Sequence, residues 1–128
     1  MKSGPLDGPV GRLGWIQTDC HDPERLARFW GQVLGVEVDA RLGHPPQYLN
    51  LEPVTRDAPR VCFQRVPEAK AGKNRLHFDL GVDDVDLATA RIESLGGARA
   101  RHDDYHEHGY SWRLMADPEG NEFCLIYE

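Results

Sequence analysis

Long apolar runs are missing from this chain. Of its 128 residues 40% are hydrophobic, yet no apolar stretch approaches the roughly 20 residues needed to cross a bilayer. Met1–Val10 holds Gly, Pro and one Lys without the apolar stretch of a secretory leader, so none is expected. A basic surplus is missing too: 15 Lys and Arg stand against 21 Asp and Glu, a net charge of −6. The densest basic group, Lys70, Lys73 and Arg75, is short and reads as a solvated loop. Nucleic acid and anionic membrane are therefore not expected as partners, because either would need clustered Lys and Arg. Cysteine is scarce. Cys20, Cys62 and Cys124 stand in apolar stretches with no CxxC spacing, which reads as reduced, buried thiols in a cytoplasmic protein. Nor is there a Gly-rich phosphate loop, a Ser-centred elbow or an HExxH pair.

What is present is the composition of a globular chain, with 28% charged residues and enough length for one ordinary core. Residues 1–11, with three Gly and two Pro, are expected to be a loose arm. The remainder, 12–128, is expected to be a single domain. Leu13–Asp19 alternates as a strand does, with Trp15, Gln17 and Asp19 on one face and Ile16 and Thr18 on the other. Asp22-Pro23-Glu24 then opens a helix: Asp22 can cap free N–H groups, Pro23 suits the first helical position, and Glu24 sits at the positive end of the dipole. Leu26, Phe29, Trp30, Val33 and Leu34 make its apolar stripe, and Gly35 ends it. Short strands are expected at Val36–Arg41, Gln47–Leu51 and Arg60–Val66.

After the loop Pro67–Asn74 the pattern restarts. Leu76–Val82 alternates, with Phe78, Leu80 and Val82 expected to meet the second helix and His77, Asp79 and Gly81 facing away. Asp83 and Asp84 can cap a second helix with the stripe Val85, Ala88, Ile92 and Leu95, stopped by Gly96-Gly97. Strands are expected near Ala98–Arg101, Ser111–Ala116 and Glu122–Tyr127, with Asp117-Pro118-Glu119-Gly120-Asn121 as the turn before the last. The helix-ending pairs Leu34-Gly35 and Leu95-Gly96 lie 61 residues apart (96 − 35). Each half reads strand, helix, Gly stop, three strands, which marks an internal duplication, with modules at about 12–66 and 75–128. The expected class is α+β: two βαβββ modules side by side, their sheets curving around a shared concavity. Strand parity then selects side chains that line the hollow, Trp15, Gln17, His77 and Asp79, with Trp112 and Tyr110 sharing a parity that could join them.

Three stretches carry a family resemblance: Asp22-Pro23-Glu24-Arg25-Leu26-Ala27-Arg28-Phe29-Trp30 with Leu34-Gly35, Leu76-His77-Phe78-Asp79-Leu80 with Val82-Asp83-Asp84, and Asp117-Pro118-Glu119-Gly120-Asn121-Glu122-Phe123. Through them the chain, from about Leu13 to Tyr127, resembles the vicinal oxygen chelate superfamily of glyoxalase I, bleomycin-resistance proteins and extradiol dioxygenases. It is most similar to the glyoxalase-like domain branch, and the fold this implies is two βαβββ modules forming an open, cup-like β-barrel with helices outside. In metal-dependent members of that superfamily the ligands come from the first and last strands of each module. Carried over, His77 fits a first-strand ligand, and Trp15 falls near the equivalent place in module one, where an indole cannot coordinate. Cys124 falls where a Glu would stand, and the last-strand place of module one is Gln64 or Cys62, depending on register. Hard octahedral ions want several oxygen and imidazole donors together, and His77 with Cys124 falls short of the three or four ligands of a zinc site. No cofactor is therefore expected; a divalent metal, if held at all, would sit on His77 and Gln64.

The resemblance implies a small-molecule ligand, and it allows a homodimer. If the chain is an enzyme, a lyase- or isomerase-type proton shift is expected, with His77 as base and Gln64 as hydrogen-bond donor. The bland alternative for His77 is a polar residue bonded to Asp79. Two other readings stand beside this one. The first is a sequestering, bleomycin-resistance-like binder that stacks its ligand on Trp15, Tyr110 and Trp112, and the second is a metal-dependent glyoxalase or dioxygenase. The segment His102–His108 offers His106 and His108 as a metal clip, or reads simply as a polar, mobile connection able to overhang the cup. Cys124 shows no partner that would make it a nucleophile.

Overall fold

The structure is a computed structural model, and it describes residues 8–128. Residues 1–7 of the expected N-terminal arm lie outside the described residues, and residues 8–14 form neither helix nor strand. The duplicated layout is the observed one. Module one runs β1 (Trp15–Cys20), α1 (Pro23–Leu34), β2 (Val38–Leu42), β3 (Tyr48–Leu51) and β4 (Arg60–Arg65). Module two runs β5 (Asp79–Gly81), α2 (Val85–Ser94), β6 (Ala98–Arg99), β7 (Tyr105–Glu107), β8 (Tyr110–Ala116) and β9 (Glu122–Tyr127). The sheet orders are β1-β4-β3-β2 and β5-β9-β8-β6, the same permutation in each half. The two sheets stay separate and do not close into a barrel.

The repeat extends to register. In module one Gln17 is the Cα partner of Cys62, and in module two Asp79 is the partner of Cys124. Both members of the pair are displaced by the same 62 residues (79 − 17 and 124 − 62). Each sheet turns one face to its helix, and the other face carries the predicted cup residues.

Both helices start and stop as the capping residues dictate. The Asp22 side chain accepts from the Arg25 N–H, and Gly35 closes α1 in the left-handed region at φ 73°. Asp84 accepts from the N–H groups of Asp86 and Leu87 at the start of α2. Leu26, Phe29 and Trp30 of α1 are buried with Leu49, Leu51 and Phe63 of their own sheet. The same helix also reaches module two. The Trp30 ring meets Phe78 at 5.4 Å and Phe123 at 4.8 Å between centroids, both edge-on. Phe78, expected to face the second helix, thus packs on the first. This close approach depends on Gly97, where a Cβ would lie 2.6 Å from Ile92 Cγ2, 2.9 Å from the Ala116 carbonyl and 3.1 Å from the Phe29 ring.

The turn Asp117–Asn121 is a staple between modules. Buried Asp117 accepts from the Trp30 indole at 3.0 Å and from the backbone N–H groups of Glu119 and Asn121. Glu119 reaches across to accept from the backbone N–H groups of His21 and Asp22, at 2.8 and 2.7 Å, just before α1. The acidic residues of this stretch are therefore spent on holding the halves together.

Two expectations need correction. The strand expected over Leu76–Val82 shrinks to Asp79–Gly81, although the Phe78 carbonyl still accepts from Cys124 N–H. The His102–His108 segment, expected to be a plain connection, contains a strand: β7 pairs with β8 in a hairpin whose two turn residues, His108 (φ 53°) and Gly109 (φ 81°), both have positive φ. That is the backbone of the tight two-residue turn that suits twisted strands. His106 meets the Ser111 hydroxyl through Nδ1 at 2.8 Å, and His108 sits in the turn, so the extended segment expected to set both imidazoles on one face ends at Glu107.

Candidate functional site

Pairing across the sheets defines which side chains share the face away from the helices. On module one the rows are Trp15 with Arg60, Gln17 with Cys62 and Asn50, and Asp19 with Gln64 and Tyr48. Gln64 and Cys62 thus lie on the same face, one row apart. On module two Asp79, Cys124 and Leu114 form one row, and Ile126 and Trp112 the next.

The two modules meet at a seam, where Trp30 and Glu119 bond across from one to the other. A cavity of about 830 Å³ opens there, lined by Gln17 and Asp19 of β1, Arg25 of α1, Asn74 of the linker, His77 and Asn121. Of the eight residues expected in the site, Gln17 and His77 line this cavity. Trp15, Gln64, Asp79, Tyr110, Trp112 and Cys124 are not on its wall. Asp79 and Cys124 nonetheless join His77 directly. A donor atom from each lies within 4.8 Å of the other two, and the His77 Nε2 is 3.4 Å from an Asp79 oxygen. Among the described residues this is where three or more His, Cys, Asp or Glu donors gather. Burial, followed by the charge of Asp79, pushes the Cys124 thiol up to about 11. It is therefore a protonated thiol at neutral pH and a poor nucleophile. Burial likewise raises Cys20 to about 12 and raises Cys62. All three thiols are free.

The aromatic candidates are arranged differently from the expectation. Trp112 stacks on Tyr105 with centroids 5.2 Å apart, and the Arg101 guanidinium lies 4.1 Å over the Tyr105 ring, so one Trp112 face is already covered. Tyr110 stands exposed at the hairpin end, and Trp15 is 56% exposed. Linker and turn residues such as Asn74 and Asn121 were not among the sequence candidates. They carry no periodicity, and only the fold brings them to the seam.

A hard, six-coordinate ion held between the modules, of the kind metal-dependent relatives use, does not fit these residues. Module one presents an indole at Trp15 and a fully buried thiol at Cys62, and Gln64 does not line the cavity that His77 lines.

The comparisons with known proteins agree with this architecture. No curated protein matches the chain. Solved structures do, at identities that speak for the fold. A glyoxalase/bleomycin resistance protein/dioxygenase family enzyme from Burkholderia phytofirmans PsJN is 16% identical over 91% of this chain and 98% of its own, with a TM-score of 0.71. A member of the glyoxalase/bleomycin resistance protein/dioxygenase superfamily from Sphaerobacter thermophilus DSM 20745 is 18% identical over 93% and 98%, at 0.67. Oxidase ChaP-H2 is 20% identical over 94% and 95%, at 0.65. The model of the glyoxalase-like domain matches residues 15–126, from the first residue of β1 to the penultimate residue of β9. The chain belongs to the glyoxalase-like domain family.

Proposed function

We propose that the chain binds a small oxygenated molecule in the seam cavity and that His77 takes a proton from it. One observation carries this reading: His77 stands on the cavity wall with its Nε2 facing the Asp79 carboxylate at 3.4 Å. A proton held on Nε2 toward that carboxylate leaves Nδ1 with its lone pair as the acceptor, and Asp79 stabilises the imidazolium that forms. The hydrogen-bond donor to the developing oxyanion is Gln17, whose amide lines the same cavity, rather than Gln64. Returning the proton to a neighbouring carbon completes an isomerase-type shift, and loss of a leaving group completes a lyase-type one. Three free, buried thiols suit a reducing cytoplasm.

The test is deuterium wash-in from D2O, followed by NMR, across a panel of small α-hydroxy and α-keto carbonyl compounds. His77→Ala is expected to slow exchange by about 10²–10⁴. Exchange at the wild-type rate in that variant sinks the role. A second reading, a sequestering binder, is favoured by the exposed Trp15 ring on the same face. It requires tight binding of an unaltered ligand, loss of that binding in Trp15→Ala, and no wash-in.

A further inference from the structure

His77 and Cys124 alone are one donor short of a zinc site, and the fold supplies the third. Register makes Asp79 the Cα partner of Cys124, and His77, two residues before β5, brings a ring nitrogen within 4.8 Å of both donors. We infer that His77, Asp79 and Cys124 capture a thiophilic divalent cation, Zn²⁺ by class, using donors from module two alone.

The geometry and chemistry both point that way. With zinc bonds of about 2.0–2.3 Å, the donor atoms of a tetrahedral site lie roughly 3.3–3.8 Å apart. The three atoms here lie within 4.8 Å of one another, so about one ångström of closure completes the site. His77 and Asp79 can provide it by rotation, since their side chains are 40% and 56% exposed. Cys124, at 5% exposure, is the fixed point. One imidazole, one carboxylate and one thiolate form a borderline-soft set that suits zinc and disfavours Mg²⁺ or Ca²⁺. The exposed side of the cluster leaves a fourth position for water. As the Zn–S bond forms, the Cys124 thiol gives its proton to solvent, and the cation offsets the carboxylate beside it. Metal capture uses His77 as a ligand and so takes it out of proton transfer, which makes zinc an inhibitor of the reaction proposed above. Binding itself does not depend on that reaction, so the two ideas fail separately.

The full chain should be dialysed against micromolar Zn²⁺ and its metal content measured, then loaded with Co²⁺ and scanned for thiolate-to-metal charge transfer in the near ultraviolet. One zinc per chain and a charge-transfer band are expected. Cys124→Ser should abolish the band. His77→Ala and Asp79→Asn change exposed side chains and should keep the native circular dichroism while weakening Zn²⁺ at least about tenfold. Cys62→Ser should change none of this. No stoichiometric zinc, a band that survives Cys124→Ser, or wild-type affinity in both His77→Ala and Asp79→Asn overturns the proposal.

Discussion

A carboxylate shielded from water survives as an ion only when donors replace the water it lost, and Asp104 shows how many that takes. It accepts from Arg113 through both Nε and Nη2, at 2.9 and 3.0 Å, and also from Arg99 and the Tyr127 hydroxyl. Arg113 in turn donates to Asp86 and Thr89 on α2. One ion pair therefore ties β6, β8 and β9 to the second helix. Hydrogen bonds from Arg113 hold the Asp104 carboxyl down to about 2, against 3.8 unperturbed. Because folding lowers this pKa, the stabilisation is fully present above pH 3.8 and is lost as pH falls through 2. The difference is worth about 2 kcal/mol. Asp104→Asn removes it at neutral pH and leaves buried Arg113 with the exposed Asp86 carboxylate in place of a shielded one, so a loss of about 3–5 kcal/mol is expected in urea unfolding. The variant should also show a flatter stability profile between pH 4 and 2. A wild-type acid limb in Asp104→Asn would show that other carboxylates control it.

At the scale of elements, the contacts that matter join α1 to the second module. Trp30→Phe keeps the ring against Phe78 and Phe123 but removes the donor to Asp117. About 1–3 kcal/mol should be lost, since a buried carboxylate oxygen is left short of a partner. Gly97→Ala should cost about 1–3 kcal/mol, because its Cβ meets a carbonyl and a ring that are both held in the core. Equal urea midpoints for wild type and Gly97→Ala would mean that α1 can retreat freely. The contrast between helices and strands shows what the sequence can express. Asp22, Pro23, Gly35 and Asp84 announce helix ends locally, because caps act within one turn. The hairpin strand Tyr105–Glu107 has no apolar alternation to announce it, since its neighbours are polar on both faces. The His108-Gly109 pair before Tyr110 was its one sign. That Phe78 packs on Trp30 rather than on α2 depends on how the modules dock, which no local pattern encodes.

For the whole molecule, duplication is both what could be read and what limits the site. Strand parity placed His77 and Asp79 on one face, and the family resemblance set Cys124 at the last-strand place of the same module. That Asp79 and Cys124 are direct partners required the register of two strands 45 residues apart (124 − 79). The same repeat shows why module one has no such cluster among its described residues. Trp15 stands at the place of His77 (77 − 15 = 62), Gln17 at that of Asp79, and Cys62 at that of Cys124. Two substitutions should therefore rebuild the cluster in the first module. Trp15→His with Gln17→Asp sets an imidazole and a carboxylate beside Cys62 in the register that module two uses. If donor spacing alone makes the site, the double variant should bind two Zn²⁺ per chain instead of one. Its Co²⁺ charge-transfer band should roughly double, with half of it lost on Cys62→Ser. If metal analysis still finds one ion, the full burial of Cys62, against 5% exposure at Cys124, is what separates the modules, and access rather than spacing decides where the cation sits.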